Sequence, residues 1–274
     1  MKEGSNLRLV ALMATVLAAT SVAAGVTDNL HYTVPEGEPL AGWRICVDAG
    51  HGGQTWGAAR GYTGGTRSAV SDLTESDVNL RVAMFLWDLL TQAGADVVMT
   101  RTYETRLSAD VQDEPGSQGW RAGRDAELGI RREVAKANDC DFMVMVHHNA
   151  AGPDANFSTA FYFDPEQQAA EGGEPSPEPH SPESVAFARD LAQSILDEFE
   201  EWLDIGTRPV RHRENHVMRT STVPAVVLEA SFMTNRDEAE RLDYLGYNRR
   251  EAIAIFEGIL DHCTAMRASQ EATE

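Results

Sequence analysis

The 274-residue chain is short of cysteine and of basic residues, and each shortage excludes a class of protein. Its three cysteines, Cys46, Cys140 and Cys263, are odd in number and form no CxxC pair. That excludes a disulfide scaffold and a cysteine-based zinc site. Cys46 and Cys140 lie at or beside apolar strand-like runs and are expected as buried thiols. A bridge between them would need an oxidising compartment. Lysine and arginine total 23 against 43 acidic residues, a formal net charge of −20. So acidic a chain lacks the basic patches that grip nucleic-acid phosphates or anionic lipid.

Long apolar runs are also missing, except near the N-terminus. There Lys2 and Arg8 precede the apolar stretch Leu9 to Ala18, and small residues follow from Thr20 to Gly25. A positive start, a short apolar run and a small-residue exit predict a secretory signal over residues 1–24. The run is short for a membrane span, so no stable membrane insertion is expected.

Residues 25–42 read as a polar, proline-bearing tether, 43–266 as one folded domain and 267–274 as a flexible tail. Trp43 to Asp48 is a short apolar run that ends in the glycine-rich turn Ala49-Gly50-His51-Gly52-Gly53, as at the end of a strand. Thr74 followed by Asp77 resembles a capping box, and Val78, Val82, Phe85, Leu86 and Leu89 then repeat at helical spacing. Asp96 to Thr100 resumes as strand. Tyr103 to Gly123 reads as a polar insertion and Glu127 to Ala137 as helix.

The uninterrupted run Phe142 to Val146 predicts a central buried strand. Ser158 to Phe163 is a further strand candidate, Glu171 to Pro182 an acidic loop, and Ala188 to Phe199 an amphipathic helix. Val223 to Leu228 predicts another strand, and Tyr247 to His262 a closing helix. Alternating strands and helices imply an α/β domain with a mostly parallel sheet covered on both faces. Functional groups in such sheets collect beyond the carboxyl ends of the strands. His51, His147 and Glu229 each follow an apolar strand-like run, which brings three distant segments to one edge.

Two histidines and one carboxylate make a catalytic zinc site with an open position. His51 and His147 are the candidate imidazoles. Glu75 is the candidate carboxylate, because it opens a helix where backbone N–H groups favour an anion. Such a site would acidify a water and polarise a carbonyl. Glu229, ending a buried strand, is the candidate general base. His148 rivals His147, although strand alternation points the two to opposite sides, so one of them joins the site. Asp48 and Asp72 rival Glu75.

The chain resembles the zinc-dependent N-acetylmuramoyl-L-alanine amidases of the amidase 3 type. The resemblance rests on Val47-Asp48-Ala49-Gly50-His51-Gly52-Gly53, Leu73-Thr74-Glu75-Ser76-Asp77-Val78-Asn79-Leu80 and Thr100-Arg101. It continues through Ala137-Asn138, Val146-His147-His148-Asn149-Ala150 and the segment from Pro224 to Asn235. These motifs fall in the family's order from about Ile45 to Leu260. Met145-Val146, Ser231 and Thr234 depart from common family residues without removing a ligand.

The resemblance implies a mostly parallel six-stranded sheet with helices on both faces. It implies Zn2+ bound by His51, Glu75 and His147, with Glu229 as acid–base, and its HxN pattern selects His147 over His148. Asn149 and Arg219 are carried as candidate substrate-binding residues. Peptidoglycan is the implied partner, and the implied place of action is the periplasm or the extracellular cell wall. A monomer is expected. Some relatives insert an inhibitory helix after the HxN motif. The proline-rich stretch here has no amphipathic pattern, so activity without a partner protein is expected. Two other readings are a zinc carboxypeptidase or deacylase, and a non-catalytic wall-binding protein.

Overall fold

The computed structural model describes residues 31–53, 64–108 and 118–272. The expected signal segment lies outside the described residues. Six strands form one sheet: β1 (Arg44–Ala49), β2 (Asp96–Met99), β3 (Phe142–Asn149), β4 (Thr159–Tyr162), β5 (Arg211–His212) and β6 (Ala225–Phe232). Their order is β2-β1-β3-β6-β4-β5. β1 pairs in parallel with β2 and β3, β3 with β6, and β4 with β5; β4 pairs antiparallel with β6, so β4 and β5 run opposite to the other four strands. The sheet is therefore mostly parallel and six-stranded, as expected.

Seven helices are described: α1 (Glu75–Gln92), α2 (Gln118–Ala137), α3 (Pro165–Ala170), α4 (Pro182–Leu203), α5 (His216–Thr220), α6 (Arg236–Leu242) and α7 (Leu245–Glu271). α1, α4 and α7 pack together on one face. On the other face, Ala135 of α2 and Val217 and Met218 of α5 pack with Cys46, Met143, Met145, Phe161 and Val227. Helices thus cover both faces, and strand alternation sends successive side chains to opposite layers.

The long helices follow their apolar spacing. In α1, Val78, Val82, Leu86 and Leu89 are buried, and Thr74 and Asp77 form the full reciprocal capping box. Leu86 is completely buried, so truncation to alanine costs about 2–5 kcal/mol.

Several boundaries differ from the sequence expectation. α2 begins at Gln118, inside the stretch read as an insertion, and α7 runs on to Glu271, into the stretch read as a tail. β3 continues through His147 to Asn149, and β6 through Glu229 to Phe232, because polar residues at strand ends are still held by the ladder. The short elements α3, α5, α6 and β5 carry too few residues for a periodic pattern and were not anticipated. Cys46, Cys140 and Cys263 are free, buried thiols.

The topology prepares a site. From β1 the chain moves outward to β2; it then crosses to β3 on the opposite side, so β1 and β3 flank a point where connections diverge. Crevices form at such points beyond the carboxyl ends of the strands.

Candidate metal centre

His51 follows β1, His147 lies near the end of β3, and Glu75 is the first residue of α1. Their donor atoms all lie within 4.8 Å of one another. One Glu75 oxygen, Oε1, is 3.1 Å from His51 Nε2 and 3.1 Å from His147 Nδ1. The ring centroids of the two histidines are 5.0 Å apart. Both imidazoles are partly exposed while Glu75 is buried, so the cluster opens to solvent through its histidines. Burial pushes the Glu75 carboxyl upward, but the two imidazoles outweigh it and hold the group well below the usual glutamate range. The backbone N–H of His148 also donates to Glu75 Oε1, and that of Thr66 to Oε2.

Asp48 and Asp72, the rivals of Glu75, do not join the three. Asp48 Oδ1 accepts from Arg131 Nη1 at 2.5 Å and from Thr100 Oγ1 at 2.5 Å. Asp72 lies on the surface opposite Arg67. His148 points to the α1/α7 side, as alternation requires: its Nδ1 is 2.8 Å from Asn79 Oδ1 and its Nε2 3.1 Å from Glu251 Oε1.

Glu229 stands directly beside His147 in the β3–β6 register. Its Oε2 is buried without a hydrogen-bond partner. Burial is the main influence on this carboxyl and raises its pKa above the ordinary value, with His147 pulling the other way and Glu75 adding to the rise. A carboxyl so placed holds its proton more readily than an exposed glutamate does.

Asn149 ends β3, where its Oδ1 accepts from the N–H of Ala150 at 2.8 Å. Arg219 is not brought to the cluster. It sits in α5, ahead of the start of β6, and its buried guanidinium pairs with Glu174 and Glu214 and donates to the Pro175 carbonyl. These contacts fasten the acidic loop.

Sequence reading missed two positioning arginines. Arg131 donates to the carbonyls of Ala49 and His51, and Arg101 to those of Ala49 and Gly50 and to that of Ser76. Between them they hold the turn in which His51 takes a left-handed backbone, φ +61°. The signal for Arg131 was present: it lies one helical turn from Leu128 and from Ala135, on an otherwise apolar stripe.

The family model described as N-acetylmuramoyl-L-alanine amidase matches residues 45–261. The germination-specific N-acetylmuramoyl-L-alanine amidase of Bacillus subtilis is 28% identical over 229 residues, 82% of each chain. The LytC amidase of the same organism is 25% identical over 82% of this chain and 36% of its own length. Among solved structures, the CwlD amidase of Clostridioides difficile, in complex with the GerS lipoprotein, superposes with a TM-score of 0.64 at 22% identity, covering 81% of this chain and 99% of that one. The Ami1 amidase of Mycobacterium smegmatis superposes at 0.62 and 17% identity, covering 82% and 99%. These superpositions bear out the sheet and its helical layers, and the family match spans every segment that builds the cluster. The chain therefore belongs to the N-acetylmuramoyl-L-alanine amidase family, Amidase_3, and is a peptidoglycan-hydrolysing enzyme of that type.

Proposed function

We propose that this enzyme is a zinc-dependent hydrolase of the amide between the lactyl group of N-acetylmuramic acid and the L-alanine that begins the stem peptide. The observation that carries the reading is the convergence of His51, Glu75 and His147 within 4.8 Å, with Glu229 on the neighbouring strand. Two imidazole nitrogens and one carboxylate oxygen are a donor set that zinc takes with a position left open. Tetrahedral zinc with bonds of about 2.0–2.1 Å separates its ligand atoms by roughly 3.4 Å, within the spread seen here. Bound zinc supplies Lewis acidity to the scissile carbonyl and acidifies a water at neutral pH.

Glu229 does the proton work. It accepts a proton from the attacking water as the new C–O bond forms, and returns it to the amide nitrogen as the C–N bond breaks. The products are the muramic carboxylic acid and a stem peptide with a free L-alanine amino group. Arg101 and Arg131 hold the His51 turn, and Asn79 and His148 support it from the other face of the sheet. The small-residue exit of the N-terminal segment supports export to the periplasm or the extracellular wall.

Metal content and muropeptide products of the purified protein test this reading. Glu229→Gln should keep the metal and lose hydrolysis, whereas His51→Ala should lose the metal. Free stem peptides with an L-alanine amino terminus support the amidase. Release of a terminal D-amino acid would instead identify a carboxypeptidase and overturn the proposal.

A further inference from the structure

Three exposed arginines, Arg208, Arg211 and Arg213, lie within six residues along the β5 edge of a chain that carries a net charge of −20. Each lays its guanidinium over a phenylalanine: Arg208 over Phe157 at 4.7 Å, Arg211 over Phe161 at 5.3 Å, and Arg213 over the same Phe161 at 4.7 Å. Among the described residues, none of the three has an acidic side-chain partner. The neighbouring Glu214 pairs with Arg219 instead. Two like charges held over one buried ring, unneutralised in an acidic protein, are unfavourable unless an anion joins them. A guanidinium held against a ring loses little freedom on binding, and its fork of N–H groups recognises a carboxylate in bidentate fashion.

The patch faces the site. Phe161 pairs with Arg211 on one side and with Val227 on the other. Val227 and Glu229 lie two residues apart on β6 and so share a face; Arg211 therefore stands two strand spacings, roughly 10 Å, across and about 7 Å along from Glu229, a gap that its long side chain narrows. Arg213 lies near enough for its charge to act on Glu229. In an extended stem peptide, the second residue stands about 7 Å beyond the scissile amide. That residue is linked through its side chain in the peptidoglycan stem and leaves an α-carboxylate free.

We propose that Arg211 and Arg213 form an anion subsite that binds the free carboxylate of the second, D-glutamyl residue of the stem peptide. The assignment deepens the amidase reading and rests on it for the choice of ligand. It makes the pair a specificity device that separates stems with a free carboxylate from stems in which that group is amidated.

The test uses the product side of the reaction, so that binding is read apart from catalysis. The full chain loaded with zinc is titrated with L-alanyl-D-isoglutamate and with L-alanyl-D-isoglutamine, which differ only in that carboxylate, and binding is followed by NMR. The wild type should favour the acid by about tenfold or more, in line with a charge-assisted pair. Arg211→Ala/Arg213→Ala should lose that preference while its melting temperature and zinc content stay at the wild-type level. In turnover assays the double variant should raise KM for the acidic substrate and leave KM for the amidated substrate unchanged. Equal or undetectable binding of the two dipeptides by the wild type overturns the subsite, as does a preference that survives the double substitution. A wild type that prefers the acid but fails to cleave peptidoglycan sinks the amidase reading and leaves the subsite standing.

Discussion

Asn79 and His148 meet beside the cluster of His51, Glu75 and His147: Oδ1 of Asn79 lies 2.8 Å from Nδ1 of His148. The same amide donates through Nδ2 to the Gly50 carbonyl at 3.1 Å. Asn79 is one helical turn beyond Glu75, Gly50 precedes His51, and His148 follows His147. One buried side chain therefore ties together the three segments that carry the candidate ligands. Glu251 of α7 closes the chain at His148 Nε2.

Asn79→Ala should weaken zinc binding by about 10–100-fold, the usual consequence of losing a supporting contact around a metal. Competition with a chromogenic chelator measures it. An unchanged affinity would show that the packing of α1 alone sets the ligand geometry.

Gly50 has no room for a side chain. A Cβ there would press into the His147 imidazole at Cε1 and Nε2. Gly50→Ala should displace that ring and lower bound zinc well below one equivalent, while the circular dichroism spectrum stays native. Full metal occupancy in this variant would argue against His147 as a ligand.

Asp48 supplies a pH test of the buried network that holds the His51 turn. Burial alone would raise its carboxyl, but Arg131 and the Thr100 hydroxyl reverse that and hold it below the ordinary aspartate value. A group depressed in the folded state contributes stability that is complete above its unfolded value, near pH 4, and is lost as pH falls through the lower, folded one. Urea unfolding at a series of pH values should show this as an acid limb that flattens in Asp48→Asn. That variant should also be less stable at neutral pH, by up to about 3–5 kcal/mol, because the buried Arg131 keeps only the longer, 3.5 Å contact with Glu127. An acid limb of unchanged slope would show that other carboxylates govern acid unfolding.

Metal removal should read out in stability as well as activity. Zinc held by three groups that converge only in the fold binds the native state alone, and at a hundredfold excess over Kd it adds about 2.7 kcal/mol. Chelation of the wild type should lower the melting temperature and abolish hydrolysis, and added zinc should restore both. His51→Ala should melt at one temperature with or without chelator. A chelator-independent wild type would remove zinc from the proposed reaction.

The amino-acid order alone determined the local elements and the chemistry they could carry. The capping box at Thr74 and Asp77, the stripe from Val78 to Leu89 and the run from Phe142 to Val146 are short-range patterns, and the structure realises each of them. Alternation along β3 already separated His147 from His148, since neighbouring strand residues cannot face the same layer. Tertiary structure decided what those elements deliver. His51 and His147 meet because β1 and β3 pair in parallel, and Glu75 reaches both because α1 packs with its first turn over their ends. It also committed Arg219 to Glu174 and Glu214, turned Arg131 inward to Asp48, and placed Arg211 and Arg213 over one ring. Hydrophobic period and capping act over a few residues. The partner of a charge is chosen by whichever distant strand or helix buries it, and no local pattern records that choice.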